Sequence, residues 1–162
     1  MTPHRIGLGL DVHRFAEGRD LYLGGVKIPH GKGLLGHSDA DVLLHAVIDA
    51  LLGAAGIGDI GELFPDTDPR YKGIRSTILF EEAMKRLAAA GWRVVNCDAV
   101  LVCEEPKVLP HREAIRASLA ALLGVAPDAV MVKGKTSERL GFTGRGEGIM
   151  AQAVVLIERG KG

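Results

Sequence analysis

Asp11-Val12-His13 carries a carboxylate and an imidazole two residues apart. On a β-strand, residues i and i+2 point to the same face with backbones about 6–7 Å apart, so both side chains can converge on one cation. Both are suitable zinc ligands. Asp41, His45 and Asp49 follow at i, i+4 and i+8, the spacing that puts them on one face of a helix. If His45 joins Asp11 and His13, a Zn²⁺ site results with three protein ligands and one open position, the catalytic pattern. Asp49, one turn on, is then expected to orient His45 as an acceptor. His37-Ser38 precedes the helix, where backbone N–H groups favour an anion. Plain readings remain open: a strand-end ion pair for Asp11 and His13, a solvated polar stripe for the helix.

A third cluster, KGKTSERLGFTGRGEG at Lys133–Gly148, combines Lys133, Lys135, Arg139 and Arg145 with Thr136, Ser137 and five glycines. Glycine lets backbone N–H groups approach an anion closely. Glu138 among these cations makes sense if it holds Mg²⁺ or Mn²⁺, which phosphates share. The alternative is a Gly-rich turn with solvated charges. Two nucleotide-loop patterns fail: Gly134-Lys135-Thr136 ends like a phosphate loop but Ala129 stands at its first glycine, and Gly7-x-Gly9 has Val12 at the third. No Ser/His/Asp or Cys/His nucleophile set is visible. Phosphoryl transfer suits such a chain, because positioning and metal charge do most of the work.

The elements that must position these groups are legible in outline. Arg5–His13 is predicted as a strand, with Ile6, Leu8 and Leu10 alternating. Leu21–Ile28 is predicted as a hairpin about Gly24-Gly25. Ser38 is the expected cap, with Asp41 three residues on, for a helix over 39–52 that Gly53 ends. Residues 56–73 read as one long loop rich in Gly, Pro and Asp, and such loops are usually functional or disordered. Helices over 76–90 and 112–123, the latter stopped by Gly124, and strands over 93–102, 130–133 and 149–157 complete an α+β domain spanning 1–162, one mixed sheet with helices on one face.

The composition fits. The chain has 162 residues, 47% hydrophobic and 25% charged, ordinary globular values. Lys plus Arg (20) balance Asp plus Glu (20), and aromatics are 4%. Neither a basic nor a base-stacking nucleic-acid binder is indicated. The apolar stretch Val42–Ile57 is interrupted by His45 and Asp49, so no membrane span is expected. The first residues reach Asp11 and His13 before a signal-type apolar core, and the cytoplasm is the expected compartment. Cys97 and Cys103, six residues and about 20 Å apart on one strand, are expected to be buried free thiols.

GLGLDVHRF, LLGHSDADVLLHAVIDALLGAAGIGDIGELFPDTDP, PKVLPH and KTSERLGFTGRGEG, in this order over residues 5–158, resemble the 2-C-methyl-D-erythritol 2,4-cyclodiphosphate synthases. The resemblance implies a non-mevalonate isoprenoid enzyme. Its substrate, 4-diphosphocytidyl-2-C-methyl-D-erythritol 2-phosphate, attacks its own β-phosphorus with its 2-phosphate, releasing CMP. By resemblance Asp11, His13 and His45 hold Zn²⁺, and Glu138 holds Mg²⁺ or Mn²⁺ with substrate phosphates. His37, Thr136 and Glu138 are the implied catalytic set. Ser38 joins His37 at the phosphate, and Phe64, Asp66 and Asp68 belong to the loop on the erythritol. Asp59 and Gly61 take the ribose. Cys103, Lys107, Val108 and Leu109 line the base, and Lys135 adjoins the diphosphate. The implied assembly is a homotrimer with shared sites, with Phe142, Arg145 and Glu147 toward the threefold axis. Lys135 and Leu10 depart from the pattern, standing where some relatives carry a small hydroxyl residue and Phe. A metal-dependent phosphohydrolase and a non-catalytic trimer binding isoprenoid phosphates are the alternatives.

Overall fold

The computed structural model describes residues 3–160. Its frame is a five-stranded sheet in the order β4-β1-β7-β5-β6, built from β1 (His4–Ala16), β4 (Gly33–Leu34), β5 (Trp92–Val102), β6 (Val130–Lys135) and β7 (Gly148–Arg159). All neighbours run antiparallel except β5 and β6. That parallel pair needs a crossover, which α4 (Arg112–Leu123) supplies. β2 (Leu21–Leu23) and β3 (Val26–Ile28) form the expected hairpin. Its Gly24 and Gly25 both have positive φ, 64° and 81°, as a primed two-residue turn requires.

The helices α1 (Val42–Ala55) and α3 (Ser76–Ala89) stack over the sheet, and α1 is buried except at Asp49 and Gly53. The β1 face toward α1 is lined by Gly7 and Gly9. A Cβ on either would overlap a helix carbonyl, Ala50 O or Ala46 O. Strand and helix backbones therefore lie in direct contact. The apolar side chains of β1 point the other way: Ile6, Leu8, Leu10 and Val12 are 74%, 66%, 48% and 42% exposed.

The expected boundaries need four corrections. α1 is capped by Asp41, not Ser38; its carboxylate accepts the Leu44 N–H. The helix runs through Gly53 and stops at Gly56, which adopts the left-handed conformation (φ 71°) that ends a helix. The segment read as one long loop contains α2 (Ile60–Leu63), closed by a reciprocal Asp59–Glu62 cap, and a 3₁₀ turn at Pro69–Tyr71. The Gly-rich stretch before β7 likewise holds a short helix, α5 (Gly141–Gly144). The helix and stop expected at 112–123 and Gly124 are found as read. Cys97 and Cys103 are buried and free, and burial pushes their thiols up to about 12 and about 11. No helix among the described residues is long and apolar enough to cross a membrane.

Candidate functional site

β1 and α1 bring Asp11, His13 and His45 together. Asp11 Oδ2 lies 2.9 Å from His13 Nε2 and 3.1 Å from His45 Nδ1, and the two nitrogens are 3.2 Å apart. Zinc at about 2.0–2.1 Å from tetrahedral N and O donors requires donor–donor edges of about 3.3 Å. The observed triangle is close to that, and its donors are the hard and borderline atoms zinc takes. The residues fit a divalent cation. The electrostatics agree: burial works to raise the Asp11 carboxyl, but the hydrogen bonds and charges of His13 and His45 outweigh it and hold it at about 2. Burial lowers the His13 imidazole, yet Asp11 and the Leu35 carbonyl raise it above its ordinary value.

The triad opens onto a cavity of about 400 Å³ that His37, Ser38, Gly61, Phe64 and Asp66 also line. The His37 ring is anchored by its Nε2 on the Asp68 carbonyl at 2.9 Å. Two expected members have other duties. The Asp59 carboxylate caps α2 through the Glu62 N–H. The Asp68 carboxylate is paired with Arg70, which holds it below the usual carboxylate range.

The helix stripe does not act as one unit. Asp41 is fully buried and accepts from Gly24, Gly25 and Leu44 N–H groups. Asp49 accepts the Ile60 N–H at 2.8 Å, so it orients α2 and not His45. The partner of His45 Nε2 is Ser76 Oγ, at 2.8 Å. Nothing in the sequence neighbours of Ser76 marks a helix-start serine as facing a histidine 31 residues away.

A second region forms at the ends of β5 and β6. Cys103, Lys107, Val108, Leu109, Lys135 and Thr136 line a cavity of about 250 Å³. Lys107 and Thr136 also border a wider concavity of about 780 Å³ that includes Glu138 and Arg145. Glu138 and Arg139 are consecutive left-handed residues (φ 54° and 61°), which costs about 1–2 kcal/mol each. Glu104 Oε1 accepts the Arg139 N–H at 2.7 Å and Thr136 Oγ1 the Glu138 N–H at 3.3 Å, holding this conformation. Phe142, half exposed, lines none of these cavities. No residue is common to the triad cavity and the Glu138 concavity.

The YgbB family model matches residues 4–158, nearly the whole chain. The chain belongs to the YgbB family. A YgbB relative from Dechloromonas aromatica, a 2-C-methyl-D-erythritol 2,4-cyclodiphosphate synthase, is 61% identical over 155 residues, covering 96% of this chain and 97% of the relative. A solved cyclodiphosphate synthase in its CDP-bound form is 47% identical with a TM-score of 0.87, over 95% of this chain and all of that one. The bifunctional IspDF of Campylobacter jejuni superimposes with a TM-score of 0.93 at 40% identity over 96% of this chain, which spans 42% of that longer protein.

Proposed function

We propose that this YgbB protein converts 4-diphosphocytidyl-2-C-methyl-D-erythritol 2-phosphate to 2-C-methyl-D-erythritol 2,4-cyclodiphosphate and CMP. The observation that carries the proposal is the Asp11–His13–His45 triangle opening onto a cavity with His37, Ser38 and Asp66. It occurs in a chain that matches named synthases end to end. The nucleophile of this reaction is the substrate's own phosphate, so the chain need supply none.

The residues divide the work. Asp11, His13 and His45 hold Zn²⁺, and Glu138 holds Mg²⁺ or Mn²⁺ together with substrate phosphates, since one carboxylate plus phosphate oxygens is a common arrangement for such an ion. The bound cations supply positive charge that offsets the repulsion between two phosphate centres. His37 and Ser38 grip the 2-phosphate side. Phe64, Asp66 and Asp68 shape the erythritol loop, and Asp59 and Gly61 meet the ribose. Cys103, Lys107, Val108 and Leu109 enclose the base, while Lys135 and Thr136 face the diphosphate. Together they fold the substrate so that attacking and leaving oxygens lie in line, and the tethering supplies proximity.

The working unit is a homotrimer with sites shared between neighbouring chains, and Phe142 and Arg145 lie toward its axis. Two observations support this: the open apolar row on β1, and the separation of the triad cavity from the Glu138 concavity. The reaction takes place in the cytoplasm, where a polyanionic nucleotide substrate is retained.

The test is ³¹P NMR of the Zn²⁺- and Mg²⁺-loaded protein with the cytidylated substrate. A coupled pair of cyclic-diphosphate signals appearing with CMP is the expected result. An open-chain phosphorylated product would mean hydrolysis and overturn the proposal. His45→Ala is expected to lower CMP release at least about 100-fold, as loss of a ligand from a catalytic metal would.

A further inference from the structure

We infer that Ser76, anchored by Asp39, is a positioning residue for the metal triad, accepting the His45 Nε2 proton so that a bare Nδ1 faces Asp11 and His13. This rests on the reading of the triad as a cation site and deepens it.

Ser76 is the first residue of α3, is wholly buried, and lies outside the lining of the triad cavity, so it does not meet substrate. Its Oγ has three polar neighbours, His45 Nε2 at 2.8 Å, Asp39 Oδ1 and, farther off at 3.4 Å, Ser38 Oγ. The Asp39 carboxylate is surrounded by donors: Ser76 N–H and Arg75 Nε reach Oδ2, both at 3.1 Å, and Asp41 N–H reaches Oδ1 at 3.2 Å. A carboxylate so placed accepts only, and a serine hydroxyl has a single proton to give. That proton goes to Asp39. The side of Ser76 Oγ facing His45 is then an oxygen lone pair, and a bare Nε2 at 2.8 Å would repel it. Nε2 must carry the hydrogen. The neutral imidazole therefore has its lone pair on Nδ1, the atom 3.1 Å from Asp11 Oδ2 and 3.2 Å from His13 Nε2.

His13 is set by the same logic from another anchor. Its Nδ1 lies 2.7 Å from the Leu35 carbonyl, which can only accept, so Nδ1 carries the hydrogen and Nε2 is bare. Two imidazole lone pairs and a carboxylate oxygen thus converge without an intervening proton once a cation occupies the triangle. The backbone that makes this possible is specific. Ala40 is left-handed (φ 57°), and the turn it makes directs both Ser38 and Asp39 at Ser76. Ser38 Oγ, 3.3 Å from His45 Nε2, accepts the Ala40 N–H and is the weaker neighbour. Residues behind metal-bound histidines fix ring orientation and tautomer, and their loss typically weakens metal binding 10–100-fold.

The experiment measures Zn²⁺ binding alone, by competition with a chromophoric chelator. Ser76→Ala should bind Zn²⁺ about 10- to 100-fold more weakly than the wild type, while Ser76→Thr, which keeps the hydroxyl, should recover most of the affinity. Ser76→Ala binding as tightly as the wild type overturns the positioning role and leaves the metal site standing. A wild type that binds no Zn²⁺ overturns both. Should Ser76→Ala fold poorly, long-range ¹H–¹⁵N spectra of the histidine-labelled, Zn²⁺-loaded wild type decide the matter. His45 should show a protonated Nε2 and a metal-bound Nδ1; the reverse pattern overturns the inference.

Discussion

Two carboxylates near the start of α1 sit in opposite environments. Asp11 shares its oxygen with two imidazoles and is held at about 2, while Asp41 is pushed up to about 6, chiefly by burial and also by the Asp39 charge, against three backbone N–H donors. An acid whose folded value lies above its unfolded 3.8 stabilises the fold below pH 3.8 and loses that contribution as pH rises to about 6. A shift of about two units corresponds to about 3 kcal/mol. Asp41→Asn cannot titrate. Urea unfolding of the metal-free proteins should show the wild type losing about 2 kcal/mol relative to D41N between pH 4 and pH 6.5. A constant difference across that range would refute the assignment. The distinction between the two aspartates was not readable beforehand: spacing placed Asp41 on the His45 face, but the unpaired N–H groups of the Gly24-Gly25 turn claim its carboxylate.

At the scale of elements, the site depends on how closely β1 lies on α1. One carries Asp11 and His13 and the other His45. Gly7 and Gly9 permit that approach, and a Cβ at Gly9 would overlap the Ala46 carbonyl. Gly9→Ala is expected to lower stability by about 3 kcal/mol, because a backbone atom cannot rotate away as a side chain can. It should also weaken Zn²⁺ binding by moving the strand ligands off the helix ligand. A urea midpoint equal to the wild type's would contradict this packing. Where a stop signal and the periodicity coincide, as at Gly124 after α4, the helix end is legible to the residue. At α1 the start is ambiguous in sequence because two residues, Ser38 and Asp41, both have capping chemistry. Only the path of the preceding turn decides which side chain faces the first open N–H groups.

The whole molecule presents one feature that an isolated chain cannot satisfy. Ile6, Leu8, Leu10 and Val12 form an exposed row on the sheet face away from α1, with Val154 and Met131 exposed on strands of the same sheet. In the proposed trimer this face is covered by the neighbouring chains. Sedimentation velocity should give three chains for the wild type. Leu8→Asp should yield monomers with unchanged far-UV circular dichroism and no CMP release. A wild type that sediments as a monomer yet turns over would sink the shared-site reading. Burying one such leucine contributes about 1.5–3 kcal/mol, so a charge repeated in each chain is a severe penalty.

Local spacing by itself determined which residues could do chemistry. D-x-H on a strand and a mid-helix histidine single out Asp11, His13 and His45 as candidates, with an ion pair and a polar stripe as the plain alternatives. The Gly24-Gly25 turn and the α4 stop follow equally from short-range rules. These signals are legible because periods of two and 3.6 residues assign a side chain to a face without reference to the rest of the chain. What lies against that face is a matter of long-range packing. Only the tertiary structure decided that Asp49 serves α2, that the apolar row of β1 points away from the helices, and that Ser76 and Asp39 stand behind His45. A hydroxyl or carboxylate can satisfy itself with many partners, and which one it meets depends on segments brought together by folding.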